Sequence, residues 1–173
     1  MSLISFFKEA GQKLFGHKDT EAAAQQAQAA PDNAALQATA TAANQKAATA
    51  IEAYIATQHL SADGLQVEFN GATMTATVSG EAADQATVEK IVLCCGNVHG
   101  VAQVNDLMTV RGTAGTSQDT SQYHTVVGGD TLSAIAKKYY GNASEYPKIF
   151  EANTPMLSSP DRIYPGQLLR IPA

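Results

Sequence analysis

The chain has no tryptophan, few aromatic residues, two cysteines and more acid than base. Each shortage excludes a class. No apolar run approaches the roughly 20 residues of a bilayer span, so a membrane-crossing helix is not expected. Eleven Lys and Arg against 16 Asp and Glu, with a net charge of −5, leave no basic face for nucleic acid. The acidic balance serves solubility. Cys94 and Cys95 are adjacent on an expected helix, which disfavours a mutual disulfide and offers no zinc-ligand spacing. Buried, reduced thiols fit best, in keeping with a cytosolic address. Catalytic signatures are also missing. His17, His59, His99 and His124 are scattered, and there is no G-x-S-x-G, phosphate loop, C-x-x-C or EF-hand. An enzyme is not expected.

The 173 residues allow one or two domains. Residues 1–16 begin apolar, but Lys8, Glu9 and Lys13 interrupt any signal-peptide core. Leu3, Phe7, Ala10 and Leu14 recur at helical spacing, predicting a short amphipathic helix that docks on its own domain rather than on a membrane surface. Residues 17–46 are rich in Ala, Gln and Thr, interrupted by Pro31-Asp32-Asn33. They read as a partly helical, mobile spacer without chemistry.

From about Ala47 the pattern turns globular. A helix carrying Ile51, Tyr54 and Ile55 precedes two alternating runs, Leu65 to Phe69 and Met74 to Val78, joined by an Asn70-Gly71 hairpin turn. A second helix spans about Ala83 to Cys95, with Val88, Ile91, Val92 and Cys95 on its buried face. Gly96 is expected to cap it with a positive φ. The tight loop Gly96-Asn97-Val98-His99-Gly100 then leaves carbonyl oxygens without helical partners, to meet either water or a cation. Val104, Met108 and Val110 mark a third strand, with Leu107 on its other face. The order α-β-β-α-β predicts a small α+β sheet with helices on one face.

Residues 111–122 read as a Gly, Ser and Thr-rich linker. Beyond it come a strand at Tyr123 to Val127, a Gly128-Gly129 turn, and a helix with Asp130 as its N-cap. A second helix carries Tyr146, Ile149 and Phe150, and a final strand follows Pro165-Gly166.

Residues 47–110 resemble the BON domain family, on Val78-Ser79-Gly80 closing a strand pair, the helix, and then Gly100-Val101-x-x-Val104-x-Asp106. Residues 123–173 resemble the LysM domain, on Val126-x-x-Gly129-Asp130-Thr131-Leu132, Ala152-Asn153, Ile163-Tyr164-Pro165-Gly166-Gln167 and Ile171-Pro172. Together with the Phe6-Phe7-Lys8-Glu9-Ala10-Gly11 opening, the pair is similar to the family of small cytoplasmic bacterial potassium-binding proteins. The alanine-rich spacer stands outside the resemblance as an insertion. The fold implied is α+β in two small domains, BON-type αββαβ then LysM-type βααβ, after a short N-terminal helix. The resemblance implies a monomeric cytoplasmic protein that binds K+ selectively, as a sensor or buffer, with ion-linked domain closure in which the N-terminal helix and the LysM domain dock.

The ion ligands implied are main-chain oxygens of Phe7, Ala10, Gly96, Asn97, Val98 and Gly100. Potassium suits a cage of neutral carbonyl dipoles, and the loop contains no Asp or Glu that would favour calcium or magnesium. Two other readings come from the resemblance. A LysM groove implies peptidoglycan or another N-acetylglucosamine polymer at Gly129, Asp130, Thr131, Leu132, Asn153, Pro155 and Ile163. A BON domain implies phospholipid contact without stable insertion.

Overall fold

The computed structural model describes residues 2–6, 11–112 and 121–172. The α+β expectation holds, with one sheet per module. In the first module, helix α1 (His17–Ala29) and helix α2 (Ala34–Thr57) form a hairpin. Asn33 starts α2, its Oδ1 accepting the N–H groups of Ala35 and Leu36 at 3.1 and 3.3 Å. Residues read as a mobile spacer are thus helical on both sides of the Pro31 turn. Ala24, Ala27 and Ala40 are buried, so the small side chains bring the helices close, and Gln37 Nε2 donates across to Ala27 O at 2.8 Å.

Residues Ser2–Ser5 (β1), Asp63–Asn70 (β2), Thr75–Ala82 (β3) and Gln103–Val110 (β4) form one sheet in the order β1-β4-β3-β2. Strands β2 (Asp63–Asn70) and β3 (Thr75–Ala82) form an antiparallel hairpin. Its turn is longer than the tight Asn70-Gly71 turn expected. Asn70 pairs with Thr75, its side chain accepts from Ala72 and Thr73, and Met74 takes a positive φ of 51°. Helix α3 (Gln85–Gly96) then crosses over, so β4 (Gln103–Val110) lies parallel to β3. Asp84 caps α3 by accepting Thr87 N–H at 2.7 Å. Ile51 and Ile55 of α2, Ala76 and Val78 of β3, Ile91 and Cys95 of α3 and Val104 of β4 are fully buried in one core. Each large aliphatic side chain there contributes about 2 kcal/mol through burial.

The N-terminus departs from the expected helix. Strand β1 (Ser2–Ser5) pairs antiparallel with β4. Without it β4 would present an open edge of unpaired peptide groups. Residues 2–5 take that edge in place of a helix, and the part of the expected helix at Phe7 and Ala10 lies outside the described residues; Ile4 and Phe6, two apart, pack toward the core while Ser5 between them is exposed.

In the second module β5 (Gln122–Thr125) pairs antiparallel with β6 (Leu168–Ile171). Between them lie α4 (Leu132–Tyr140), a 3-10 turn at Ala143–Glu145, and α5 (Tyr146–Ala152). The N-cap of α4 is Thr131, whose Oγ1 accepts Ala134 N–H at 3.1 Å, and not Asp130 as expected. Ile135, Ile149, Leu157 and Leu169 form the core.

Asn153, 2% exposed, follows α5 and clamps the outer edge of β6. Its Oδ1 accepts Arg170 N–H, and its Nδ2 donates to Arg170 O, both at 2.8 Å. Replacing Asn153 with Ala leaves that buried peptide edge without partners, so thermal or urea unfolding is expected to show about 2–3 kcal/mol of lost stability.

Candidate functional site

The helix α3 stops in the loop that sequence reading singled out. Gly96 is the last helical residue and does not take a positive φ; Asn97 is the C-cap, with φ −86°. Gly96 is required for space instead. A Cβ there would lie 1.9 Å from Cε1 and Cζ of Phe6, which packs across the helix end. Gly100 does need its conformation, at φ +99°, and also faces His17 Cβ, 2.3 Å from where its own Cβ would be. Gly11, at φ +102°, lies so close to the loop that a Cβ would sit 2.0 Å from Asn97 O.

Residues 11–12 therefore run against the loop. Gln12 N–H donates to Asn97 O, and His99 N–H donates to Gln12 O, both at 2.9 Å, forming a short parallel bridge. Val101 N–H donates to Val98 O at 3.0 Å. Among the described residues, no hydrogen bond is made to the carbonyl of Gly96 or of Gly100. Asn97 and Val98 retain a second lone pair on each carbonyl oxygen. The loop is nonetheless withdrawn from water: Val98 is 0% and Asn97 9% exposed, and both glycines are buried. The partially negative C-terminal end of the α3 dipole points at it.

Gly96, Asn97, Val98 and Gly100 thus share one buried loop. Phe7 and Ala10 lie outside the described residues. Their described neighbours, Phe6 and Gly11, touch the loop at Gly96 and Asn97 respectively. The rings of His17 and His99 meet edge to face beside it, with centroids 4.3 Å apart. No group of three or more His, Cys, Asp or Glu able to hold a metal occurs among the described residues. Burial pushes the Cys94 thiol up to about 12 and the Cys95 thiol well above its ordinary value, so both stay protonated.

The loop also touches the second module, through residues that sequence reasoning did not identify. Asn97 Nδ2 donates to Leu168 O, and Leu168 N–H donates to Asn97 Oδ1, both at 3.0 Å. Two turns back along α3, Glu89 pairs with Arg170 Nε of the same strand, while Gln85 Nε2 holds the other carboxylate oxygen at 3.2 Å. A charged residue on an otherwise apolar helix face was the available signal: Glu89 falls among Val88, Ile91 and Val92.

The glycan-type residues divide. Asp130, Thr131, Leu132 and Ile163 line a cavity of about 330 Å³ together with Ser133, Tyr146, Pro160 and Asp161. Gly129 and Pro155 are not among its walls. Asn153 is not among its walls either, and its carboxamide is committed to Arg170 and Ile149. At the cavity rim Asp130 Oδ2 accepts Val127 N–H at 3.0 Å and lies 2.9 Å from His124 Nε2. The Val127 amide first, and the His124 hydrogen bond second, hold the Asp130 carboxyl below its usual range. A lowered folded value means that its stabilising effect is present above the ordinary carboxylate pKa and fades as pH falls through the folded one. Asp130→Asn is therefore expected to flatten the loss of stability below about pH 4, read by urea unfolding against pH.

No described helix is long and apolar enough to cross a membrane. A BON domain model matches residues 43–112 and a LysM domain model residues 124–172. The potassium binding protein Kbp of Escherichia coli O6:H1 is 39% identical over 180 residues, covering 99% of this chain and 99% of that protein. An uncharacterized protein of Deinococcus radiodurans is 55% identical over 49 residues, 28% of this chain and 19% of that protein. With both modules matched and near-complete coverage at that identity, this chain belongs to the family of the potassium binding protein Kbp.

Proposed function

We propose that this chain binds potassium through main-chain oxygens of Gly96, Asn97, Val98 and Gly100, with Phe7 and Ala10 completing the cage. The observation that carries the reading is the buried loop whose Gly96 and Gly100 carbonyls accept no hydrogen bond among the described residues. Buried backbone oxygens ordinarily find a partner, and a cation is one. The loop supplies neutral dipoles without a carboxylate, which suits a large monovalent ion better than calcium or magnesium. Membership in the Kbp family supports the same ion.

Binding would draw the N-terminal segment and the LysM domain onto the loop, shifting the population toward a closed form. The protein then acts as a cytoplasmic potassium sensor or buffer and has no catalytic role. Calorimetric titration with potassium, sodium, magnesium and calcium tests this. Heat with potassium and none with the others at matched ionic strength is expected; equal response to sodium, or none to potassium, refutes it.

A second reading is favoured by the 330 Å³ cavity at Asp130, Thr131 and Ile163. That groove has the size and mixed polarity for one or two N-acetylated sugars. Retention on purified peptidoglycan, unchanged by potassium, would support it.

A further inference from the structure

Strand β6 has β5 on one side only. Along a strand the peptide groups point alternately to either side, so Leu168 and Arg170, two apart, turn their N–H and C=O groups the same way. On that open side both are met by asparagine carboxamides. Asn153 of the same module takes Arg170, at 2.8 Å in each direction. Asn97 of the other module takes Leu168, at 3.0 Å in each direction and 71 residues away in sequence. The two side chains stand in for a missing third strand. One is supplied from within the LysM domain; the other is present only while the domain sits against α3. Without it, the Leu168 peptide groups must find water.

The rest of Asn97 is equally engaged. Its N–H donates to Leu93 O and Cys95 O at the end of α3, and its C=O accepts Gln12 N–H. The side chain is thus fixed by the LysM domain and the main chain by the helix end and the N-terminal segment. The Gly96 carbonyl shares a peptide plane with the Asn97 N–H, and the Asn97 carbonyl shares one with the Val98 N–H, which donates to Cys95 O, so both oxygens are aimed by the peptide planes that flank this residue. Seating of β6 and aim of the loop oxygens are mechanically linked.

We infer that the Asn97 carboxamide is the positioning group through which docking of the LysM domain sets the loop's affinity for potassium. The inference rests on the ion site proposed above. Linkage requires the effect to run both ways: the factor by which docking tightens the ion is the factor by which the ion tightens docking.

The test uses the full chain, wild type and Asn97→Ala, with two readouts: potassium affinity by calorimetry and exchange of the Leu168 amide by NMR. Loss of a buried pair of hydrogen bonds corresponds to about a tenfold effect or more. In Asn97→Ala the affinity should fall about tenfold, and Leu168 should exchange about tenfold faster, while the amides of Ile91 and Val104 keep wild-type protection. Unchanged affinity in that variant overturns the inference whatever Leu168 does, and so does unchanged Leu168 protection. Should the variant not fold, wild type alone decides: potassium must slow Leu168 exchange more than that of Ile91, and equal slowing overturns the coupling. Absence of any potassium heat in wild type removes the ion site itself, and the inference with it. Leu168 exchange in Asn97→Ala still reports the docking contact in that case.

Discussion

Alanine in place of Gly11 is expected to abolish measurable potassium binding near the wild-type range and to lower stability by about 3 kcal/mol. Two effects combine. The φ of +102° at this position is poorly tolerated by any residue with a Cβ. That Cβ would also lie 2.0 Å from Asn97 O and 2.6 Å from its carbonyl carbon, backbone atoms that cannot rotate aside as a side chain would. The segment must therefore lift from the loop, breaking the Gln12 to Asn97 and His99 to Gln12 hydrogen bonds. If closure contributes the whole loss to the ion, roughly a hundredfold drop in affinity follows, at 1.4 kcal/mol per factor of ten. Urea unfolding and calorimetry read the two quantities. Gly128 is the control: it has open space around it and no positive φ, so Gly128→Ala should change stability by less than about 0.5 kcal/mol.

Removal of Glu89 is expected to cost about 3–5 kcal/mol. Its side chain is 5% exposed, and that of its partner Arg170 is 13% exposed. Glu89→Ala leaves a guanidinium sealed between the modules without its counter-charge, a far larger penalty than the net value of the pair. The double variant Glu89→Leu with Arg170→Met replaces both ions with apolar groups of similar size and should restore most of the stability. A urea-denaturation double-mutant cycle over wild type, Glu89→Leu, Arg170→Met and the double variant measures this. A coupling energy near zero would mean that the two side chains do not face each other across the interface. Exposed pairs give the contrast. Arg111 with Asp63, at 58% and 74% exposure, should contribute no more than about 1 kcal/mol.

Where period and local chemistry agree, the fold could be read directly. Leu65 to Phe69 alternates within β2, the run from Met74 to Val78 enters β3 at Thr75, and the Ile91 and Val92 face of α3 is buried as its spacing requires. The N-terminus misled because its decisive partner is distant. Leu3, Phe7, Ala10 and Leu14 have helical spacing, yet β4, a hundred residues on, offers an edge that residues 2–5 cover. The alanine-rich stretch hid its hairpin for a different reason. Ala24, Ala27 and Ala40 are core residues, but alanine among alanines gives little periodic contrast. In the candidate loop, a glycine needed for φ and one needed for space look the same in a sequence. Gly100 is the first kind, and Gly96 the second because of Phe6. The side-chain half of Asn97 was invisible, since nothing local announces a partner at Leu168.

The most direct measurement is a crystal structure of the full chain grown in rubidium chloride, an anomalously scattering stand-in for potassium. The expected result is a single strong anomalous peak enclosed by main-chain oxygens of Gly96, Asn97, Val98 and Gly100, and lost on exchange into sodium chloride. A loop without the peak, or a peak held by Asp and Glu side chains elsewhere, would contradict ion capture by the peptide backbone of this loop.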